Sequence, residues 1–169
     1  SGAASAAGEG AEGPLPRISL DGKWIFYVQN NEKQAPTFRI LRIPIEGGEP
    51  LEVTTLPEGS TISALDLSPV DGRIAYLARR QVNRALEITV TIIAANGRPI
   101  KTLPLPPTAW IGFIRWTPDG RSIAFNDNRD KSGDIWTIPV AGKSTPKRLT
   151  NFKTPVTRHF DWTQDGKQL

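Results

Sequence analysis

The sequence predicts an all-β chain made of repeated blades of four antiparallel strands, set in an incomplete ring. Three observations predict it. One short segment recurs as Ser19-Leu-Asp-Gly-Lys-Trp-Ile-Phe-Tyr27, Ser68-Pro-Val-Asp-Gly-Arg-Ile-Ala-Tyr76, Thr117-Pro-Asp-Gly-Arg-Ser-Ile-Ala-Phe125 and Thr163-Gln-Asp-Gly-Lys-Gln-Leu169. Its copies start 49, 49 and 46 residues apart, and a period of that size with several strands in each unit indicates a β-propeller, one blade per repeat. The apolar runs flanking each copy are short and rich in aromatic and β-branched residues, which suits strands. Fifteen glycines and fifteen prolines in 169 residues suit a turn-rich all-β chain.

The pairs Asp21-Gly22, Asp71-Gly72, Asp119-Gly120 and Asp165-Gly166 are the expected hairpin turns. Asp-Gly favours the two-residue type I′ turn, which needs positive φ at both central positions. In the second copy the pair sits one position late within an unchanged overall length, and this reads as a bulge. Four aspartates at one repeat position resemble a catalytic array, but their fixed place before glycine makes turn formation the reason for them.

In chain order, residues 1–16 read as a flexible Ala/Gly/Glu linker. Ser1 to Gly13 has no aromatic or branched apolar side chain to bury, and Pro14 and Pro16 close the segment. It has neither a basic start nor an apolar core, so it is not an intact signal peptide. The partial propeller follows over 17–169, with blades at about 17–60, 61–109 and 110–157 and the start of a fourth at 158–169. In the first blade Lys23 to Gln29, Thr37 to Ile45 and Pro50 to Thr54 read as strands, the last as an edge strand led by proline. In the second, Thr61 to Leu67, Arg73 to Ala78, Leu86 to Ala94 and Pro99 to Leu103 do. Leu86, Ile88, Val90 and Ile92 alternate with Glu87, Thr89 and Thr91, and Asn96-Gly97 supplies a hairpin turn. The Pro-rich stretch Leu103 to Ala109 is an extended link between blades. In the third, Ile111 to Trp116, Arg121 to Asn126, Asp134 to Val140 and Pro146 to Leu149 read as strands, and His159 to Trp162 opens the fourth.

The wording of the third repeat is more specific than its period. Trp116-Thr-Pro-Asp-Gly-Arg-Ser-Ile-Ala-Phe125, Asn128-Arg-Asp130, Gly133-Asp-Ile-Trp136 and Lys147-Arg-Leu-Thr-Asn151 resemble a blade of the TolB-type, WD40-like (PD40) propeller family. Arg42-Ile-Pro-Ile-Glu-Gly-Gly-Glu-Pro50 and Phe160-Asp-Trp162 are similar to the same family as it occurs in bacterial multidomain proteins, including those where it follows a protein kinase domain. The resemblance covers about Pro16 to Leu169. It implies a protein–protein interaction role and an extracytoplasmic setting, while the residues themselves leave the compartment unknown.

Composition narrows the chemistry. There is no cysteine, which excludes disulfides and thiolate metal sites. No apolar run approaches the ~18 residues of a membrane span. The net charge of +4 is spread over scattered arginines and lysines without aromatic partners for stacking, so no nucleic-acid partner is expected. There is no methionine, and the fourth repeat is cut short, so the chain is expected to be processed or excised from a longer one.

Asp130, Ser132 and Asp134 have the 1-3-5 spacing of a calcium loop, but Ile135 stands where that loop needs glycine and Ala141 where it needs glutamate. They read as a polar hairpin loop, and no metal or cofactor is expected. His159, the single histidine, lies two residues from Asp161, yet no Gly-x-Ser-x-Gly elbow accompanies them, and an inter-blade packing role is expected. Trp116 and Trp162 share one repeat position and should pack between blades. Trp110 lies in a connector outside the repeated pattern and is the candidate binding anchor.

These residues point to a non-catalytic propeller that binds or scaffolds a protein, peptide or ligand within a larger bacterial protein. The alternative is the gating propeller of a prolyl-oligopeptidase-type serine peptidase whose catalytic domain lies elsewhere. A third reading is a propeller enzyme with its own metal or carboxylate site. Open blade edges are expected to self-associate or to meet further blades.

Overall fold

The computed structural model describes residues 14–31, 37–106, 111–127, 133–152, 159–163 and 165–169. Its twelve strands fall into three four-stranded sheets, each an antiparallel meander with strands adjacent in sequence paired in space. The first blade comprises β1 (Arg17–Ile18), β2 (Trp24–Asn31), β3 (Thr37–Pro44) and β4 (Leu51–Thr55). The second comprises β5 (Ser60–Leu67), β6 (Ile74–Val82), β7 (Ala85–Ile93) and β8 (Pro99–Leu105). The third comprises β9 (Ile114–Trp116), β10 (Ser122–Asp127), β11 (Asp134–Pro139) and β12 (Lys147–Arg148). The described residues thus form an incomplete all-β propeller of three blades. Residues 1–13 of the expected linker lie outside them.

The second blade is buried on both faces, as period-2 alternation requires of a sheet sandwiched between two others. Ile74 and Tyr76 join Phe26, Ile40 and Ile62 in the core shared with the first blade. Ala75, Leu77, Val90 and Ile92 join Trp116, Ile123 and Phe125 in the core shared with the third. Leu86, expected on the apolar face of β7, is 43% exposed because it sits beyond the edge of that core, beside the β6–β7 turn.

The Asp-Gly turns differ from the expected type I′ form. At Ser19, Thr117 and Thr163 the glycine N–H donates to the carbonyl three residues back, at 2.9, 2.8 and 2.8 Å. Positive φ falls on Gly22, Gly120 and Gly166, and on none of the aspartates. Each aspartate instead folds onto its own backbone. Asp21, Asp119 and Asp165 each accept a hydrogen bond from the preceding Ser or Thr hydroxyl at 2.6 Å. Each also accepts one from the N–H two residues on, at 3.1, 3.0 and 3.1 Å. The hydroxyl, and after it the backbone N–H, hold these three carboxyls below the usual carboxylate range. In the second copy the shift is absorbed by widening the turn, with Gly72 N donating to Ser68 O four residues back. The register shifts in that blade lie elsewhere, between Ile62 and Ala64 and between Ile92 and Ile93.

A true two-residue turn with positive φ at both positions occurs where none was expected, at Asn83 (49°) and Arg84 (67°). It prolongs β6 and β7 until Val82 pairs with Ala85. An L-residue in this region costs about 1–2 kcal/mol, of which glycine recovers part after its own entropy loss. Arg84→Gly is therefore expected to stabilise the protein by about 0.5–1 kcal/mol, read from the midpoint of urea unfolding. A loss of stability would mean that the Arg84 side chain itself holds the turn.

Two strands are shorter than expected for identifiable reasons. β9 starts at Ile114 because Gly112 N and Phe113 N donate to the Asn126 side chain, at 3.3 and 3.1 Å, rather than to a neighbouring strand. β12 ends at Arg148 because Leu149 N and Thr150 N both turn back to Ile135 O, at 2.8 and 3.3 Å. In the fourth copy the turn closes, Thr163 N donating to Gln168 O at 2.9 Å, but the described residues after 152 contain no strand.

Candidate functional site

The first strand of each blade carries the side chains that line the inner edge of the assembly. Counting two residues back from Ser19, Ser68, Thr117 and Thr163 gives Arg17, Asp66, Arg115 and Asp161. The fold brings these four repeat-equivalent residues into one ladder of alternating charge. Arg17 Nε lies 3.1 Å from Asp66 Oδ1. Arg115 reaches the same oxygen at 3.6 Å and Asp161 Oδ1 at 3.4 Å. The second Asp66 oxygen accepts the Trp116 N–H at 2.7 Å. Burial pushes the Asp66 carboxyl up, while the Trp116 N–H, Arg115 and Arg17 pull against it. Burial likewise lowers Arg115, whose guanidinium also lies 4.1 Å from the centre of the Phe113 ring.

The ladder borders an open cavity of about 380 Å³ at the turn end of the inner strands, lined also by Pro69, Pro118, Trp162 and Gly166. At the opposite end, Arg17, Phe113 and His159 line a smaller cavity of about 100 Å³. There His159 and Phe160 meet the Phe113 ring edge-on, at 5.0 and 5.6 Å between centroids. His159 therefore packs on an aromatic ring, while Asp161 turns to Arg115. The side chain of Asp161 is 70% exposed and forms the solvent end of the ladder.

Asp134, from the calcium-like spacing, is fully buried. It binds Arg148 and accepts hydrogen bonds from the Thr150 hydroxyl at 2.9 Å and the Phe152 N–H at 2.7 Å. This carboxylate locks the outer edge of the third blade to the segment leaving it. Asp130 and Ser132 lie outside the described residues, and so does Trp110, the expected binding anchor. Among the described residues no cluster of three or more histidine, aspartate or glutamate side chains could hold a metal ion.

Of the turn residues, Asp21 and Gly22, Asp71 and Gly72, Asp119 and Gly120, and Asp165 and Gly166 all sit in the first loop of their repeats. Only Gly166 among them lines the inner-strand cavity. Asp71 departs from its three equivalents. Burial pushes its carboxyl up, but Arg73, Ser68 and the Arg73 N–H together carry it below the usual range.

This architecture, meandering four-stranded blades with charged inner edges, defines a β-propeller. No protein-family model and no curated protein matches the chain. Solved structures do. TolB from Acinetobacter baumannii matches at a TM-score of 0.65 and 25% identity, over 90% of this chain and 35% of that one. A TolB-type protein from Agrobacterium tumefaciens matches at 0.54 and 26%, over 79% and 44%. An acylaminoacyl peptidase from Pyrococcus horikoshii matches at 0.60 and 17%, over 81% and 25%, a likeness of fold alone. The chain is TolB-like, a partial WD40-like propeller of about three blades, and spans less than half the length of each of these proteins.

Proposed function

We propose that the chain is a non-catalytic binding module, part of a larger bacterial protein in an extracytoplasmic setting, and that the inner-strand cavity receives a protein or peptide partner. The observation that carries this reading is the ladder. Asp66 is held by two guanidinium groups and a backbone N–H, and Arg115 by two carboxylates. Groups tied to one another in this way make a rigid, pre-organised wall, and pre-organisation favours affinity. They are poorly disposed to exchange protons with a substrate, since general acid–base work needs a group within reach of the reacting atom and tuned to operating pH.

The wall ends in Asp161, which presents its carboxylate to solvent beside the Trp162 ring. A random-peptide phage library panned against the immobilised protein tests the proposal. Enriched peptides should compete with one another, and Asp161→Arg should weaken them by about tenfold or more, the effect of one charge-assisted hydrogen bond. Asp161→Arg also sets a second guanidinium against Arg115, so Asp161→Ala and a melting curve of each variant separate lost binding from lost stability. Peptides unaffected by Asp161→Arg would remove the cavity from consideration, and steady turnover of a peptide or ester substrate would overturn the non-catalytic reading.

A further inference from the structure

The repeats also allow one corner of the propeller to be compared with the next. Immediately before Ser68 stands Leu67, and immediately before Thr117 stands Trp116. Both face the preceding blade, Leu67 paired with Ile74 and Trp116 with Ile123. At the corner between the second and third blades the Trp116 indole is 2% exposed and fills the junction. The Arg73 guanidinium lies 4.8 Å from its centre and donates to Gly120 O at 3.0 Å. At the corner between the first and second blades the smaller Leu67 leaves a cavity of about 380 Å³. Its walls are Leu20, Trp24, Phe26, Arg42 and Leu67, with Asp71 on the rim.

Arg42 points to the occupant. Its guanidinium lies over the Trp24 ring, 4.3 Å from the ring centre, and among the described residues it has neither a hydrogen-bond partner nor a counter-ion. Every other charge at the rim is engaged. Asp21 accepts from Ser19 and Lys23, and Asp71 pairs with Arg73 at 2.8 Å. We propose that this corner binds an aromatic side chain of a partner polypeptide, seated between Trp24 and Leu67 as Trp116 is seated one blade on, with an adjacent carboxylate of the partner on Arg42. The two rim aspartates disfavour any second negative group. The volume falls in the range of about 300–1,000 Å³ that small ligand sites occupy, and an apolar pocket beside a cation with open donors suits one aromatic ring and one carboxylate. This site shares Leu67 with the inner-strand cavity but none of its charged groups.

N-acetyl-L-tryptophan is the probe, titrated into the ¹⁵N-labelled protein and followed by amide chemical shifts. The amides of Leu67, Gly72 and Ala95 should shift together and saturate in the millimolar range. N-acetyl-L-tryptophanamide, which lacks the carboxylate, should bind about tenfold more weakly, and Arg42→Ala should lower affinity for the acid by a similar factor. Leu67→Trp, which fills the corner from within, should abolish binding and raise the melting temperature. Asp161→Arg should change none of this, so a failure here is distinct from a failure of the inner-strand site. The proposal is overturned if the acid causes no shift at these amides, or if it binds undiminished to Leu67→Trp. Should Leu67→Trp not fold, equal binding of acid and amide together with an unaffected Arg42→Ala would overturn it alone.

Discussion

Asp66→Ala is expected to destabilise the protein by about 3–5 kcal/mol, the cost of removing one partner from a buried ion pair. The substitution leaves the guanidinium groups of Arg17 and Arg115 facing each other across an apolar methyl. It also strips the Trp116 N–H of its acceptor, and an unpaired buried donor carries a penalty of its own. Against a typical total of about 5–15 kcal/mol, this is roughly a fifth or more of the protein's stability. Asp66→Asn separates the contributions. The amide oxygen still accepts one hydrogen bond, so its cost should be smaller, about 1–3 kcal/mol. Urea unfolding followed by tryptophan fluorescence measures both. An alanine variant within about 1 kcal/mol of the parent would show that the ladder braces nothing, since this is the ordinary worth of an exposed pair.

Gly97→Ala should be the next largest effect. Gly97 turns the chain between β7 and β8 with φ of 86°, and its Cα faces the first blade. A Cβ there would overlap the carbonyl oxygen of Val53 and come within 3.0 Å of its carbonyl carbon. Backbone cannot swing aside as a side chain does, so β4 and the turn must separate. The left-handed φ and the overlap together are expected to cost about 2–4 kcal/mol, or roughly 5–15 °C in melting temperature for a chain of this size. Gly142→Ala is the control. Its φ is 68°, and nothing lies within 4 Å of the added methyl, so only the strain of the left-handed region should appear. Equal melting temperatures for the two variants would mean that the Gly97–Val53 approach is not what holds the first two blades together.

Much of the fold was legible because its strongest signals are local. Asp-Gly at a fixed place, short β-branched runs and a constant period mark the hairpins without reference to anything distant. Where local chemistry competes with itself, the sequence misleads. Asp-Gly suggested a type I′ turn, but a Ser or Thr two residues earlier gives the aspartate a hydroxyl to bind and draws it out of the left-handed region. The two-residue turn appeared instead at Asn83-Arg84, where closure of a long ladder overrides the preference of arginine. β1 went unread because two residues just after Pro16 carry no periodicity, and it exists through its pairing with Phe26 and Ile25.

The ladder had a signal in the sequence, but one that runs across repeats rather than along them. Arg17, Asp66, Arg115 and Asp161 look like ordinary scattered charges until the four copies are aligned on their Ser or Thr. The corner at Leu67 is visible in the same way only once the neighbouring corner shows what a tryptophan does there.

The alternation of the ladder imposes a rule of parity. Arg115 sits between two carboxylates and Asp66 between two guanidinium groups, so the pattern has a repeat of two blades, not one. Carried around a closed circle, it returns to its starting sign only if the number of blades is even. An odd ring would set two like charges side by side on its inner wall, a repulsion of about 4 kcal/mol at 4 Å in a partly buried setting.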